Sequence, residues 1–231
     1  MSEHAHDNEH EHGEGGHDHA HEHGAGGDHD HAAHAPVVDQ EPDGEPQFLA
    51  RAVRELLIEK GYFTADQMRA MIEKIDERGP ALGAKIVARA WVDPAYKARL
   101  LKHGKAAVAE LGIDVVVADL VVVENTDRIH NVIVCTLCSC YPVFVLGRPP
   151  DWYKSAPYRS RVVKEPRAVL REFGTEIADH VEVRVHDSSA DMRYLVLPQR
   201  PAGTEGWSEE RLAELITRDS MIGVARAKLP A

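Results

Sequence analysis

The sequence predicts an α+β fold, and three observations predict it. Apolar residues recur at helical spacing from Pro46 to Gly112, β-branched runs replace them after Gly112, and short helices and strands then alternate toward the C-terminus. Ahead of these lies a stretch rich in His, Asp, Glu and Gly that offers nothing to a core. The chain therefore divides into a disordered tail (1–45), a helical arm (46–112) and a mixed α/β layered domain (113–231), with no internal repeat.

In the arm, Leu49, Val53, Leu56 and Leu57 form one helical face that Gly61 stops. Thr64 followed by Gln67 is the signature of a capping box, and Met68, Ile72 and Ile75 line the next helix as far as Gly79-Pro80. A third helix is expected over about Leu82–Trp91, broken at Asp93-Pro94, and two shorter ones up to Leu111-Gly112. These helices are apolar on one side only, so each must be covered by the chain's own body or by a second subunit.

After Gly112, Val115–Val117 and Leu120–Val123 are continuous apolar runs expected to be strands buried on both faces. Asn131–Val134 is another. Pro166 opens a short helix that Gly174 ends. Val181, Val183 and Val185 alternate with polar residues, as in a half-buried strand, and Met192–Leu197 forms a strand stopped by Pro198. Ser208 caps a last helix with Glu209 and Glu210 in its first turn and Leu212, Leu215 and Ile216 facing inward.

Charge is unevenly placed. The formal net charge is −11, yet residues 1–45 hold thirteen acidic residues and no Lys or Arg, which leaves the rest of the chain near +2. A near-neutral body without a basic stripe argues against nucleic acid as partner. No apolar run reaches the roughly 18 residues of a membrane span, and the N-terminus lacks a signal-peptide layout; a cytoplasmic protein is expected. Eleven of the fifteen histidines fall in residues 1–34. Imidazole beside carboxylate favours cobalt, nickel or zinc, so the tail is either a low-affinity metal store or a solvated extension that binds metal incidentally.

All three cysteines, Cys135, Cys138 and Cys140, lie within six residues at the end of the strand 131–134. A secreted disulfide framework would spread an even number along the chain, so metal or redox chemistry is the better reading. C-x-x-C-x-C can wrap one ion in a tight loop. A closed zinc site needs a fourth ligand, for which His130 is the nearest imidazole outside the tail. An iron–sulfur cluster usually needs four cysteines, and a thioredoxin-like pair needs no third. In a further option, the three sulfurs and the deprotonated amide nitrogens of Ser139 and Cys140 give an octahedral metal five ligands and leave one position open. A trivalent ion there would be an effective Lewis acid, and its sulfurs would be open to oxidation. Spacing leaves these options side by side.

Residues 134–140, Val-Cys-Thr-Leu-Cys-Ser-Cys, resemble the signature of nitrile hydratase α subunits. The resemblance extends through Pro149–Ser155, Tyr158–Arg161, Glu165–Arg167, Arg193-Tyr194, Arg200–Thr204 and Thr217–Ser220, covering roughly residues 46–224. It implies one non-corrin cobalt or non-haem iron ion held by Cys135, Cys138 and Cys140 with the backbone of Ser139 and Cys140. It further implies that Cys138 becomes a sulfinic acid and Cys140 a sulfenic acid, while Cys135 stays a thiolate. Thr136 and Tyr141 match the cobalt(III) form better than the iron(III) form. The implied partners are a β subunit, as αβ or (αβ)2, and an activator that inserts cobalt. In such an enzyme Cys140 is the catalytic residue, its sulfenic oxygen acting as base or nucleophile toward the nitrile carbon.

Three departures bear on substrate. Val143-Phe144 stands where the family has Trp-Pro, and Val116 where it has Gln, so Val143 and Val116 are the expected pocket residues. Arg148 replaces an apolar residue and would suit an anion. The alternatives are therefore a thiocyanate hydrolase-type subunit with the same metal loop, or a non-catalytic metal-delivery protein. Oxidised sulfurs need cationic partners, for which Arg148, Arg159, Arg161 and Arg167 are candidates, although the resemblance places the key arginines on the β subunit. His103, His130, His180 and His186 are assigned no role.

Overall fold

The computed structural model describes residues 45–115 and 118–229. The histidine-rich tail and Val116 lie outside them. Helix α1 (Glu45–Glu59) and helix α2 (Ala65–Asp76) meet at Gly61, whose φ of +74° suits the turn. The capping box forms as expected: Gln67 N donates to Thr64 Oγ1 at 3.1 Å and Thr64 N to Gln67 Oε1 at 2.8 Å. The apolar face of this pair is uncovered. Phe48 is 68 % exposed and Tyr62 75 %, and Leu49, Val53, Leu56 and Met71 are exposed with them.

Helices α3 (Pro80–Val92), α4 (Pro94–Lys102) and α5 (Gly104–Ala109) behave differently. They bury Ile86, Val87, Leu100 and Val108 in the same core as the strands. Asp93 ends α3 and caps α4, its Oδ1 accepting from Ala95 N and Tyr96 N. The expected strand over Val115–Val117 is not found at Val115, which is buried in an irregular connection. A short apolar run reports burial, and burial does not require a strand.

Two parallel strand pairs follow. Strand β1 (Asp119–Glu124) pairs with β4 (Met192–Leu197), and β2 (Ile129–Val134) pairs with β3 (Glu182–Asp187). β1 was expected to be buried on both faces. It is not, because Leu120 and Val122 are buried while Val121 and Val123 are only half-buried. As one member of a two-stranded pair it fully covers a single face. β2 is buried almost throughout, and Val183 and Val185 of β3 are half-buried as the alternation predicts.

Parallel neighbours need a long crossover. Between β2 and β3 it consists of α6 (Val143–Leu146), α7 (Asp151–Lys154), α8 (Ala156–Lys164) and α9 (Pro166–Glu172). The sequence pattern identified only α9. Past β4, Ser208 caps α10 (Glu209–Ala213), and Leu212, Leu215 and Ile216 face the core as expected. α11 (Arg218–Ile222) closes the chain, with Thr217 and Ser220 as a second capping box. No helix among the described residues is long and apolar enough to cross a membrane.

A buried polar bridge ties the C-terminal segment to β2. His130 Nε2 donates to the carbonyl of Gly223 at 2.7 Å, and Gly223 sits at φ +95° with Asn131 and Val132 pressed against its Cα. A Cβ there would meet the Asn131 carbonyl oxygen and strain the backbone. Gly223→Ala should cost about 2–4 kcal/mol, seen as a lower midpoint in thermal unfolding.

Candidate metal centre

The cysteine loop grows from the most buried strand of the fold. β2 ends at Val134, so Cys135 leaves it already enclosed, 1 % exposed. From there the chain turns outward: Leu137 is 92 % exposed, Cys138 is exposed and Cys140 half-buried. The three sulfurs lie within 4.8 Å of one another. Cys138 Sγ is central, 3.4 Å from Cys135 Sγ and 3.3 Å from Cys140 Sγ.

The backbone converges on the same point. Cys138 N donates to Cys135 Sγ at 3.3 Å, and the main chain of Ser139 and Cys140 adds to the polarity around Cys138 Sγ. Hydrogen bonds from Cys140, Cys135 and these two amides bring the Cys138 thiol down to about 7. Desolvation, together with the shared bond to Cys138, pushes Cys140 up to about 12, against a modest opposing pull from Arg193. The Cys138 thiol thus ionises more readily than the Cys140 thiol.

Two neighbouring elements grip the loop. The β2–β3 register sets Asp187 opposite Val134. From there its carboxylate accepts from Thr136 N at 3.0 Å and Thr136 Oγ1 at 2.5 Å, while Ser188 N donates to Val134 O at 2.7 Å. From the crossover, Tyr153 OH donates to Cys140 O at 3.0 Å, Arg159 Nη1 to Cys138 O at 3.4 Å and Tyr158 OH to Ile133 O at 2.7 Å. Tyr153 and Tyr158 are fully buried, and Tyr153 meets Tyr141 edge-to-face with ring centroids 4.9 Å apart.

This donor set bears on the options for the cysteines. His130, the imidazole nearest in sequence outside the tail, is committed to Gly223 O and lies 3.4 Å from Asn125 Nδ2, and His186 on β3 is bonded to Asn131 Oδ1 at 2.8 Å. The burial of His130 lowers its affinity for a proton. Among the described residues the three cysteines are the whole cluster, so a closed four-ligand zinc site does not fit. Three converging thiols suit an ion that keeps an open coordination position.

Of the four candidate cations, Arg161 is held by Glu165 at 2.6 Å and Glu172 at 2.5 Å. Arg167 is spent on the carbonyls of Ile177, Ala178 and Val181. Arg148 is exposed, its carbonyl taken by Arg218 at 3.5 Å. Arg159 is bonded to the backbone of the loop, at Cys138 O. Sequence reasoning missed Arg193, whose charge acts on Cys140 from β4, and it missed the grip of Tyr153 and Asp187. Val143 opens α6 three residues past Cys140 and is half-buried.

A depressed thiol pKa means that the reactive thiolate exists above about pH 7 and disappears below it. In metal-free protein, iodoacetamide should therefore label Cys138 first, with a rate that rises through pH 7, and should spare Cys140 at neutral pH. Peptide mass mapping across a pH series reads this directly.

The model of the family described as nitrile hydratase, alpha chain, matches residues 44–225. The cobalt-containing nitrile hydratase subunit alpha of Pseudonocardia thermophila is 54 % identical over 193 residues, which span 82 % of this chain and 95 % of that one. Thiocyanate hydrolase subunit gamma of Thiobacillus thioparus is 44 % identical over 206 residues, 84 % of each chain. Among solved structures, a double mutant of the Fe-type nitrile hydratase from Comamonas testosteroni Ni1 superposes with a TM-score of 0.76 at 43 % identity, covering 83 % of this chain and 97 % of that one. The match spans both the loop and the elements that grip it, and the chain belongs to the nitrile hydratase α-chain family.

Proposed function

We propose that this chain is the metal-binding α subunit of a cobalt-type nitrile hydratase, a hydro-lyase that converts nitriles to amides. The observation that carries the reading is the convergence of three sulfurs on one loop, in a chain 54 % identical to a cobalt-containing relative. Cys135, Cys138, Cys140 and the nitrogens of Ser139 and Cys140 would hold one cobalt(III) ion; the iron form remains the lesser reading. When bound, the ion supplies a Lewis acid that polarises the carbon–nitrogen triple bond.

The chain's own residues do the rest. Cys135, deepest of the three, anchors the loop as a thiolate, whereas the more accessible Cys138 and Cys140 are open to oxidation to sulfinic and sulfenic acid. The sulfenic oxygen on Cys140 would take a proton from the water that adds to the nitrile carbon while the nitrile nitrogen gains one, or would itself add to that carbon, water then breaking the S–O bond to release the imidic acid and restore the sulfenic acid. Tautomerisation of the product gives the amide. Val143, at the start of α6, and Val116 shape the pocket, and a smaller residue at 143 than tryptophan leaves room for bulkier nitriles.

The partner is a β subunit, in an αβ or (αβ)2 assembly. The apolar face of α1 and α2 supports this, since Phe48, Leu49, Tyr62 and Met71 are exposed among the described residues. A separate activator would insert the cobalt. A thiocyanate hydrolase-type subunit is the second reading, favoured by the 44 % identical relative and by the exposed cation of Arg148.

The complex produced with its partner and cobalt should hydrate aliphatic and aromatic nitriles faster than it consumes thiocyanate; the reverse preference selects the second reading. Cys138→Ala should abolish both tight cobalt and activity. Mass spectrometry of the peptide spanning residues 135–140 should find two added oxygens on Cys138 and one on Cys140.

A further inference from the structure

The segment Asp151–Arg161 resembles a family signature, yet neither the metal donors nor the proposed chemistry use it. Its side chains share one task. α7 and α8 are joined at Ser155, whose hydroxyl accepts from Tyr158 N at 3.2 Å and so starts α8 directly after α7. This places Tyr153, Tyr158 and Arg159 beside the cysteine loop, and each donates to a backbone carbonyl, of Cys140, Ile133 and Cys138 respectively. None of the three touches a sulfur by a hydrogen bond among the described residues.

The Cys138 carbonyl differs from the other two. It shares its peptide unit with the nitrogen of Ser139, an expected metal ligand. Among the described residues no peptide bond is cis, and in a planar trans unit the carbonyl and the N–H point in opposite directions. Holding Cys138 O toward Arg159 therefore turns Ser139 N to the opposite side of the peptide plane. Arg159 is also free for this duty. Whereas Arg161 is locked between two glutamates, Arg159 Nε is buried with no hydrogen-bond partner, and no carboxylate is paired with its guanidinium among the described residues.

We infer that Arg159 is a positioning residue for the metal loop, fixing the Cys138–Ser139 peptide so that its nitrogen faces the three sulfurs. The inference rests on the metal-loop reading of Cys135–Cys140 and adds to it a specific external support. Tyr153 and Tyr158 hold the neighbouring carbonyls, and being fully buried they also contribute to the core. Arg159, half-buried, can be changed with less disturbance of packing.

The test uses the cobalt-loaded complex with its partner and compares wild type with Arg159→Met, Arg159→Lys and Cys138→Ala. The readouts are cobalt remaining after timed exposure to EDTA, the sulfur-to-cobalt charge-transfer absorption, and the thermal midpoint. Arg159→Met should lose cobalt roughly 10-fold faster than wild type and shift the charge-transfer band while the thermal midpoint of the metal-free protein stays put. Arg159→Lys, which keeps a cationic donor, should recover part of both. Wild-type retention and an unchanged band in Arg159→Met would overturn the inference, and if Cys138→Ala still lost cobalt the metal loop itself would stand. Tight cobalt in Cys138→Ala would instead overturn the reading on which the inference rests. Should Arg159→Met not accumulate as folded protein, Arg159→Gln, which shortens the reach and removes the charge, is judged by the same two outcomes.

Discussion

Three sulfurs held within 4.8 Å repel one another when ionised and cannot all carry charge at once. That crowding is the constraint the surrounding fold serves. A loop left to itself would spread its thiols apart. Here the strand behind it, the carboxylate beside it and the helices over it each remove one way of relaxing. β2 is buried almost from end to end, so Cys135 cannot retreat. Asp187 takes both the N–H and the hydroxyl of Thr136, fixing the first turn. The carbonyls that follow are drawn away from the sulfurs by donors from α7 and α8.

The two parallel pairs explain how remote segments arrive at the loop. Pairing β2 with β3 carries Asp187 and Ser188 to Val134–Thr136 over 51 residues. The crossover demanded by that pairing is the chain that supplies Tyr153, Tyr158 and Arg159. A single topological choice thus positions both grips. The second pair, β1 with β4, brings Arg193 near Cys140 without a contact to the backbone of the loop.

The cysteine cluster was legible in the sequence because its members are nearly contiguous, and spacing within six residues is local information. Local too were the capping box of Thr64 and Gln67, the Ser208 cap, and the stops at Gly61 and Gly174, and the structure reproduces them. What covers a helix is not local. The spacing of α1–α5 reads alike throughout, yet α3–α5 bury their apolar faces in the chain's own core while α1 and α2 leave theirs open. α6 and α7 span four residues each, too few for a period to show. The strand expected at Val115 failed for the opposite reason, since an apolar run in an irregular connection has the same letters as a buried strand. The role of Asp187 needed the β2–β3 register, which no pattern in one sequence specifies.

The contiguity of the donors has a thermodynamic side. Closing a site whose ligands are scattered along a chain costs loop entropy for every segment brought in, whereas a six-residue site closes almost for free. The ordering cost falls instead on the distant gripping groups, which must be in place for the loop to hold its shape. The cluster and its supports are then separable: the thiols sit on one exposed turn, tipped by Leu137, and damage far from that turn would loosen their arrangement rather than remove one of them.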